Sequence, residues 1–399
     1  MSPSKVYFGS IQHGIAARWA SFAAKVDRIA ESLDFASSIE KTDKVAVKMH
    51  LGFEDGYQTV PVFFVRRIVQ ALKKTSKNVF ITDNPTAVYN AVERGYTQET
   101  CGCPIIPISG VKDGYTVEHR IDYRNVETMD MGGVLNDADV LVDLSHIKGH
   151  NSCGFGGAIK NIALGGFAAQ TRWNKIHGVE QSIPYWDSEK CSPEHAKQLE
   201  LACPYKHLKY DAENHKLTRA FGMCRNCEEC LEADKDVGCL ELKQESFAAF
   251  QELMAIAANQ VLDTFDENKR FFISFLLQIM PLCDCWGIGF PPVVNDIGVL
   301  GSRDIVAIEM AALDLIKEEG MIEKNIPAYY KHANLDPSAD LHPFQRLNGK
   351  YKNPYLAVEF AEQRGLGTRQ YELIEVLSPE ETMKAEPPKG VTERAPSFF

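Results

Sequence analysis

Over the first 180 positions, short apolar runs alternate with stretches in which apolar residues recur at helical spacing. Lys5-Val-Tyr-Phe-Gly-Ser-Ile11 reads as a strand, and the Ala-rich stretch 16–33 as a helix. Val45-Ala-Val-Lys-Met49 predicts a second strand, followed by a loop with Gly52 and Gly56. Pro61 opens a helix through Leu72, with Val62, Val65, Ile68, Val69 and Leu72 on one face. Val79-Phe-Ile-Thr82 predicts a third strand, stopped by Asp83-Asn84-Pro85; 86–94 reads as helix and Ile105 to Ile108 as a short strand. Val140-Leu-Val-Asp-Leu144 has the pattern of a buried strand and leads into Ser145-His-Ile-Lys-Gly-His150. Strands alternating with helices predict an α/β fold, a mostly parallel sheet with helices on both faces.

Around Ile183 this pattern breaks. From Cys191 to Cys239 cysteines and charges dominate and no long periodic element is visible, the pattern of an insert folded around a cofactor. The α/β pattern resumes with a helix at 246–264, strands at Phe271–Ile279 and Val293–Leu300, and an amphipathic helix from Arg303 to Glu319 ended by Gly320. A helix near 356–364 and a strand at Tyr371–Val376 follow. The expected organisation is an α/β domain in two parts, 1–186 and 243–378, interrupted by an iron–sulfur insert at 187–242. A flexible Pro-rich tail at 379–399 completes it.

Composition narrows the function classes. The chain has 399 residues, 45% hydrophobic and 24% charged, and a formal net charge of −11. That balance offers no electrostatic footprint for nucleic acid or an anionic membrane, although a local basic pocket for a small anion is compatible with it. The first residues carry no charged-then-apolar signal pattern, and the longest apolar run, Phe271 to Met280, falls short of the ~20 residues a spanning helix needs. A cytoplasmic protein is expected. Eleven cysteines without a secretion signal then point to metal ligation rather than disulfides.

The cysteine spacing is specific. Cys224, Cys227 and Cys230 reproduce the C-x2-C-x2-C part of a ferredoxin run, which presents three thiolates from one tight loop. Cys203-Pro204 lies upstream by about a ferredoxin hairpin and matches the Cys-Pro that completes such a ligand set from the other half of the motif. One [4Fe-4S] cluster held by Cys203, Cys224, Cys227 and Cys230 is predicted, beside a decayed second site of which Cys191 and Cys239 remain. Zinc, which also accepts four thiolates, is the alternative. Cys101-Gly-Cys103 sits in a turn and reads as structural.

Four further segments follow predicted strands: His50; Asp83 and Asn84; His146, Lys148 and His150; and Cys283 with Cys285. Ligands of open α/β sheets bind outside the carboxyl ends of the strands, so parallel strands would gather these groups in one crevice. Residues two apart in extended chain face one way, so Cys283 and Cys285 could grip one metal. Gly154-Phe-Gly156-Gly157-Ala-Ile-Lys160 precedes a helix, and its amides could cradle phosphate or carboxylate beside Lys160. It matches neither a P-loop nor a dinucleotide fingerprint. No G-x-S-x-G elbow or H-E-x-x-H helix supports a hydrolase.

On Ser145-His-x-Lys-Gly-His150, Gly154-Phe-Gly-Gly-Ala-Ile-Lys-Asn161, Cys283-Asp-Cys285 and Asp296-Ile-Gly298, the chain resembles the uncharacterised iron–sulfur centre proteins of the domain of unknown function 362 family. The likeness extends over most of 5–376, including Asp187-Ser-Glu-Lys-Cys191 where that family's ferredoxin insert begins. It implies an α/β domain with a ferredoxin-type insert; family members often carry two complete cysteine runs, from which this chain departs. Two functional readings compete with a purely structural cluster. In the first, a redox enzyme delivers electrons from the cluster to a substrate or second cofactor, a metal or small anion, at the strand ends. There His50, His146, Lys148 and His150 would be catalytic, and Gly154, Gly156, Gly157, Lys160, Cys283 and Cys285 would hold the ligand. In the second, the chain is an electron carrier or metallocofactor maturation factor serving a redox partner protein, without small-molecule turnover.

Overall fold

A computed structural model describes residues 3–336 and 338–388. The chain begins with β1 (Ser4–Ser10), β2 (Lys44–Met49), β3 (Asn78–Asp83) and β4 (Ile105–Pro107). A hairpin of β5 (Thr116–Tyr123) and β6 (Val126–Gly132) precedes β7 (Val140–His146) and a short hairpin of β8 (Lys148–His150) and β9 (Gly154–Gly156). After the cysteine-rich segment, which contains β10 (Leu208–Asp211) and β11 (Lys216–Arg219), come β12 (Arg270–Leu276), β13 (Gly298–Ser302) and β14 (Tyr371–Glu375).

Eight of these strands form one sheet in the order β14-β1-β13-β12-β7-β2-β3-β4. Only β13 runs against its neighbours; every other pairing in the sheet is parallel. The mostly parallel α/β architecture is therefore present as read from the sequence.

Side-chain alternation splits the core in two. Val140, Val142 and Leu144 of β7, with Phe271, Ile273 and Phe275 of β12, face the helices Phe22–Ser32 and Val62–Leu72. Leu141, Phe272 and Leu276 face the other way, towards the helices Ala158–Gly165, Gln244–Leu262 and Ile305–Glu319. With both faces covered, the strands are apolar at nearly every position. The buried exceptions include Lys48, Thr82, Asp83, Asp143, Ser145 and Ser274. Buried polar residues inside central strands require partners, and they lie beneath the site described below.

The interrupting segment leaves and returns at one place. Trp186 bridges to Leu240, and the Asp187 amide donates to the Cys239 carbonyl at 2.8 Å. Between them lie a helix at Pro193–Ala202, the β10–β11 hairpin and a helix at Glu229–Asp234. The ten-residue helix was not visible as periodicity, because only Ala196 and Leu199 are buried on it. The expected tail begins differently: Pro379–Lys384 is a helix capped by Ser378, with Thr382 buried, and the part of the tail at 389–399 lies outside the described residues. The β5–β6 hairpin was missed although Thr116–Tyr123 alternates polar and apolar residues along one exposed face. No helix among the described residues is long and apolar enough to cross a membrane.

Candidate functional site

Parallel strands bring their carboxyl ends to one edge, and there the chain gathers its buried charges. Asp83, the last residue of β3, is surrounded by donors. Lys48 Nζ lies 3.1 Å from its Oδ1, His50 Nδ1 2.9 Å from its Oδ2, and the Leu51 amide donates to Oδ2 at 3.0 Å. Burial opposes its ionisation, but the Lys48 and His50 charges outweigh burial and hold the carboxyl far below the usual range. Lys48 also donates to Asn161 Oδ1 at 2.9 Å, tying β2 to the helix Ala158–Gly165. A Cβ on Gly165 would stand 2.4 Å from that Lys48 nitrogen, so glycine at this position makes room for the lysine.

A second carboxylate, Asp284, sits between the two cysteines of Cys283-Asp-Cys285. His146 Nδ1 and Lys148 Nζ each lie 3.0 Å from it, and its carboxyl is held at about 2: burial opposes, and the Lys148 and His146 charges prevail. Fixing Asp284 turns the flanking thiols inward. Cys283 Sγ accepts from Lys160 Nζ at 2.8 Å and from the Cys285 amide at 3.4 Å. Burial disfavours the thiolate, but the Cys285 thiol, Lys160 and His50 together hold Cys283 well below the ordinary thiol range. Its partner Cys285 moves the opposite way, because the bond to Cys283 keeps its proton on. The environment thus favours one shared proton, with the thiolate on Cys283 beside Lys160. His150, Cys283 and Cys285 have ligand atoms all within 4.8 Å of one another.

Above these groups opens a cavity of about 170 Å³, lined by Lys48, His50, Asp83, Lys148, Lys160, Arg172, His177 and Cys285 among others. Arg172 Nε is buried and unbonded, and His50 Nε2 is buried without a well-formed hydrogen bond, its ring acting on the Cys283 sulfur. Such atoms are costly unless a ligand or water answers them. With Lys48 committed to Asp83, Lys148 to Asp284 and Lys160 to Cys283, the ring or guanidinium donors left to the cavity include those of Arg172, His50 and His177. They suit an acceptor-rich, anionic ligand of small size.

Of the residues singled out in the sequence, His50, Lys148, Lys160 and Cys285 line this cavity, and His150 and Cys283 lie directly beneath it. His146 does not reach it. Its Nδ1 faces Asp284 and its Nε2 donates to the Leu277 carbonyl at 2.8 Å, so both ring nitrogens are occupied and the ring positions Asp284. The glycines Gly154, Gly156 and Gly157 do not cradle an anion either. The amide that follows them, Ala158 N, donates at 2.6 Å to Oε1 of the buried Glu309 carboxyl, which closes the helix N-terminus. A Cβ on Gly157 would stand 2.1 Å from Glu309 Oε1, and Gly154, at φ +82°, packs against the Lys352 carbonyl. These glycines serve close packing.

Sequence reasoning missed Lys48, Arg172, His177 and Asp284. Lys48 had a signal, a lysine within an otherwise apolar strand. Arg172 and His177 had none, since the π-helical turn Thr171–Ile176 and the 3-10 segment His177–Ser182 that present them lack the 3.6-residue period of an α-helix.

The cysteines of the insert converge separately. Cys203, Cys224, Cys227 and Cys230 line one small pocket with Pro204, His207, Arg219 and Arg225. Asn226 (φ 51°) and Glu228 (φ 63°) flank Cys227 in the left-handed region, which bends the loop tightly enough to turn its thiols to one point. Three sulfurs also receive donors: the His207 amide to Cys203 at 3.2 Å, Asn226 Nδ2 to Cys224 at 3.7 Å, and Arg219 Nη2 to Cys230 at 3.7 Å. Cys239 lies elsewhere, against Asp234. Between this pocket and the crevice stands Lys352, whose buried ammonium donates to the Gly222 carbonyl at 2.9 Å and to the Asn151 carbonyl. Burial pushes it down to about 7, with Cys224 on one side and Cys153 on the other both acting to raise it.

Buried carboxyls give the site a pH signature. Burial pushes Asp143 and Glu309 up to about 8, so each holds a proton in the fold that the unfolded chain has lost. The stability tied to those protons is complete below about pH 4 and is lost as pH rises through about 8. Glu180, also raised to about 8, is offset over this window by Lys352, which gains stability as pH rises above its lowered value. Relative to a variant carrying Asp143→Asn and Glu309→Gln, the wild type is expected to lose about 2–5 °C more of its melting temperature from pH 7 to pH 9. The Cys283 thiolate acts in the opposite sense, equally in both proteins. Calorimetry of the two proteins checks this, and parallel profiles would rule these carboxyls out.

A family model described as "Domain of unknown function (DUF362)" matches residues 45–314. The chain belongs to this family. No curated protein sequence matches it. Among solved structures, the lactate racemase apoprotein from Thermoanaerobacterium thermosaccharolyticum is similar over 80% of this chain at 13% identity and a TM-score of 0.40. The chain spans 58% of that protein's length, and at such distance the likeness carries no functional inference.

Proposed function

We propose that this chain is an iron–sulfur redox enzyme that passes electrons from one [4Fe-4S] cluster to a small anionic substrate or second cofactor held at the strand ends. The observation that carries the reading is the convergence of Cys203, Cys224, Cys227 and Cys230 on one pocket. The donor set fits a cluster better than zinc. Thiolates on one zinc ion would stand about 3.8 Å apart, from Zn–S bonds near 2.3 Å. The groups of described residues with ligand atoms within 4.8 Å of one another include no three of these four cysteines. A four-iron cube, which spaces its thiolates more widely, supplies or accepts one electron at a time when bound.

The remaining roles fall to this chain's own side chains. Arg172 and His50 bind the anionic group with the donors left to the cavity, and Asp83 orients the His50 ring through Nδ1. His50 is the group placed to move a proton at Nε2: burial lowers its affinity, but Asp83 more than restores it, so its value lies above that of an ordinary histidine. Lys160 holds the Cys283 thiolate at the cavity floor. The hairpin carrying His150 packs against the insert through Lys352, which places the two sites side by side.

Protein purified without oxygen is expected to be brown, with iron and acid-labile sulfide each near about four per chain. Stoichiometric zinc without sulfide would overturn the reading. Cys283→Ser is expected to leave that iron and sulfide intact while altering ligand or metal retention in the crevice. Loss of the iron in that variant would assign Cys283 to the wrong site.

A further inference from the structure

We propose that the insert holds a second, structural metal ion, a zinc-class divalent cation bound by Cys191, His195, Asp234 and Cys239. The argument begins with what the decayed half of the cysteine pattern has become. A second four-iron cluster would need four thiolates, and only Cys191 and Cys239 are available on this side of the insert. The structure brings two other donors to them. His195 Nε2 lies 2.8 Å from Asp234 Oδ1, and Cys239 Sγ lies 3.2 Å from the same oxygen. The three ligand atoms are all within 4.8 Å of one another. Cys191 is buried in the same small cluster as Cys239 and is the fourth candidate ligand.

The set has the properties of a closed structural site. Cys191, Asp234 and Cys239 are 2%, 2% and 3% exposed, and the His195 side chain 13%, which leaves no open position for substrate. The spacing is Cys-x3-His on one element and Asp-x4-Cys on the other, the short intervals used by small zinc modules. Supporting bonds already orient the donors. His195 Nδ1 faces Gln198 Oε1 at 3.4 Å, which leaves Nε2 for the ion, and Asp234 Oδ2 accepts the Leu240 amide at 2.6 Å, which leaves Oδ1. Two thiolates, an imidazole and a carboxylate form a mixed set suited to zinc, whereas a four-iron cluster is ordinarily held by four thiolates.

A metal here would also do necessary mechanical work. The apolar cluster of the insert has seven buried residues, two of which are Cys191 and Cys239 themselves. Too small to hold two helices and a hairpin, it is stitched by this site where the helix Pro193–Ala202 meets the end of Glu229–Asp234, beside the Asp187–Cys239 closure. Binding releases the two thiol protons and replaces the proton-linked contacts around Asp234 Oδ1 with metal bonds. It is independent of the redox reading.

The test is elemental analysis of the full chain purified without oxygen, with iron and zinc counted on the same sample. About one zinc per chain is expected in the wild type, and a loss of more than about tenfold in Cys239→Ser and in His195→Ala. Iron should stay at the wild-type count in both variants, whereas Cys224→Ser should lose iron and keep zinc. Cobalt substituted at the site should give tetrahedral d–d bands with thiolate charge transfer, absent in Cys239→Ser. Wild-type protein without zinc, zinc retained in full in both His195→Ala and Cys239→Ser, or zinc lost in Cys224→Ser alone would each overturn the proposal. So would about eight irons per chain, or a Cys191–Cys239 disulfide in the anaerobic protein.

Discussion

Cys203→Ser is expected to lose the insert's iron, or to keep only a three-iron form, while Cys239→Ser keeps its iron at the wild-type count. The two cysteines flank the Cys224–Cys227–Cys230 loop in sequence, one before it and one after. Cys203 lies in the pocket with the three loop cysteines and accepts the His207 amide through its sulfur. Pro204 fixes φ just after it, and the chain goes on lining the pocket through Tyr205, His207 and Leu208. Cys239 instead points at Asp234 and is buried in one cluster with Cys191. Iron and sulfide analysis, with the low-temperature magnetic resonance spectrum of the reduced protein, reads the outcome. Iron lost from Cys239→Ser and retained in Cys203→Ser would reverse the ligand assignment and with it the account of the insert.

Lys160→Met is expected to raise the titration of the Cys283–Cys285 pair towards the ordinary thiol range and to slow its alkylation at pH 6 by about tenfold or more, one pKa unit being tenfold in thiolate. In the wild type the pair shares one proton, with the thiolate on Cys283 balanced by Lys160 at 2.8 Å. Removing the ammonium leaves a buried, unmatched charge, which the pair relieves by taking up a proton. Iodoacetamide is small enough to enter a cavity of this size, and Cys285 forms part of the cavity wall. Peptide mass mapping of both cysteines across pH 5–9 measures the shift. Lys160→Arg should restore most of the rate, since it returns the charge. An unchanged rate in Lys160→Met would mean that Lys160 does not govern the thiolate.

Much of this was legible in the chain because the physics involved is local. Apolar runs alternating with helical periodicity specify a two-sided sheet wherever β-strands are buried on both faces. Cys224, Cys227 and Cys230 lie so close in sequence that one loop conformation is enough to gather them. His50, Asp83, Lys148, His150, Cys283 and Cys285 were legible as a set for a related reason: each was read as following a strand, and parallel strands end on the same side.

The roles within that set were a different matter. His146 and Lys148 are equivalent in the sequence, yet one ring spends both nitrogens beneath the crevice while the other side chain lines it. Gly154, Gly156 and Gly157 have the look of an anion cradle, but the amide that follows them is answered by Glu309, 151 positions further along the chain. Arg172 and His177 sit on a turn with no α-helical period to betray it. The meeting of Cys191 and His195 with Asp234 and Cys239 likewise depends on two elements some forty residues apart being folded together.

By itself, then, the sequence determined the sheet, the point of interruption, the loop that gathers three cysteines and the edge where buried charges gather, because those follow from periodicity, short spacing and strand direction. Only the tertiary structure decided which donors remain unpaired, which thiol is ionised and which oxygen fills a helix N-terminus. Those outcomes depend on burial and on partners distant in sequence, and a charge in a protein interior is set by whatever the fold places within a few ångströms of it.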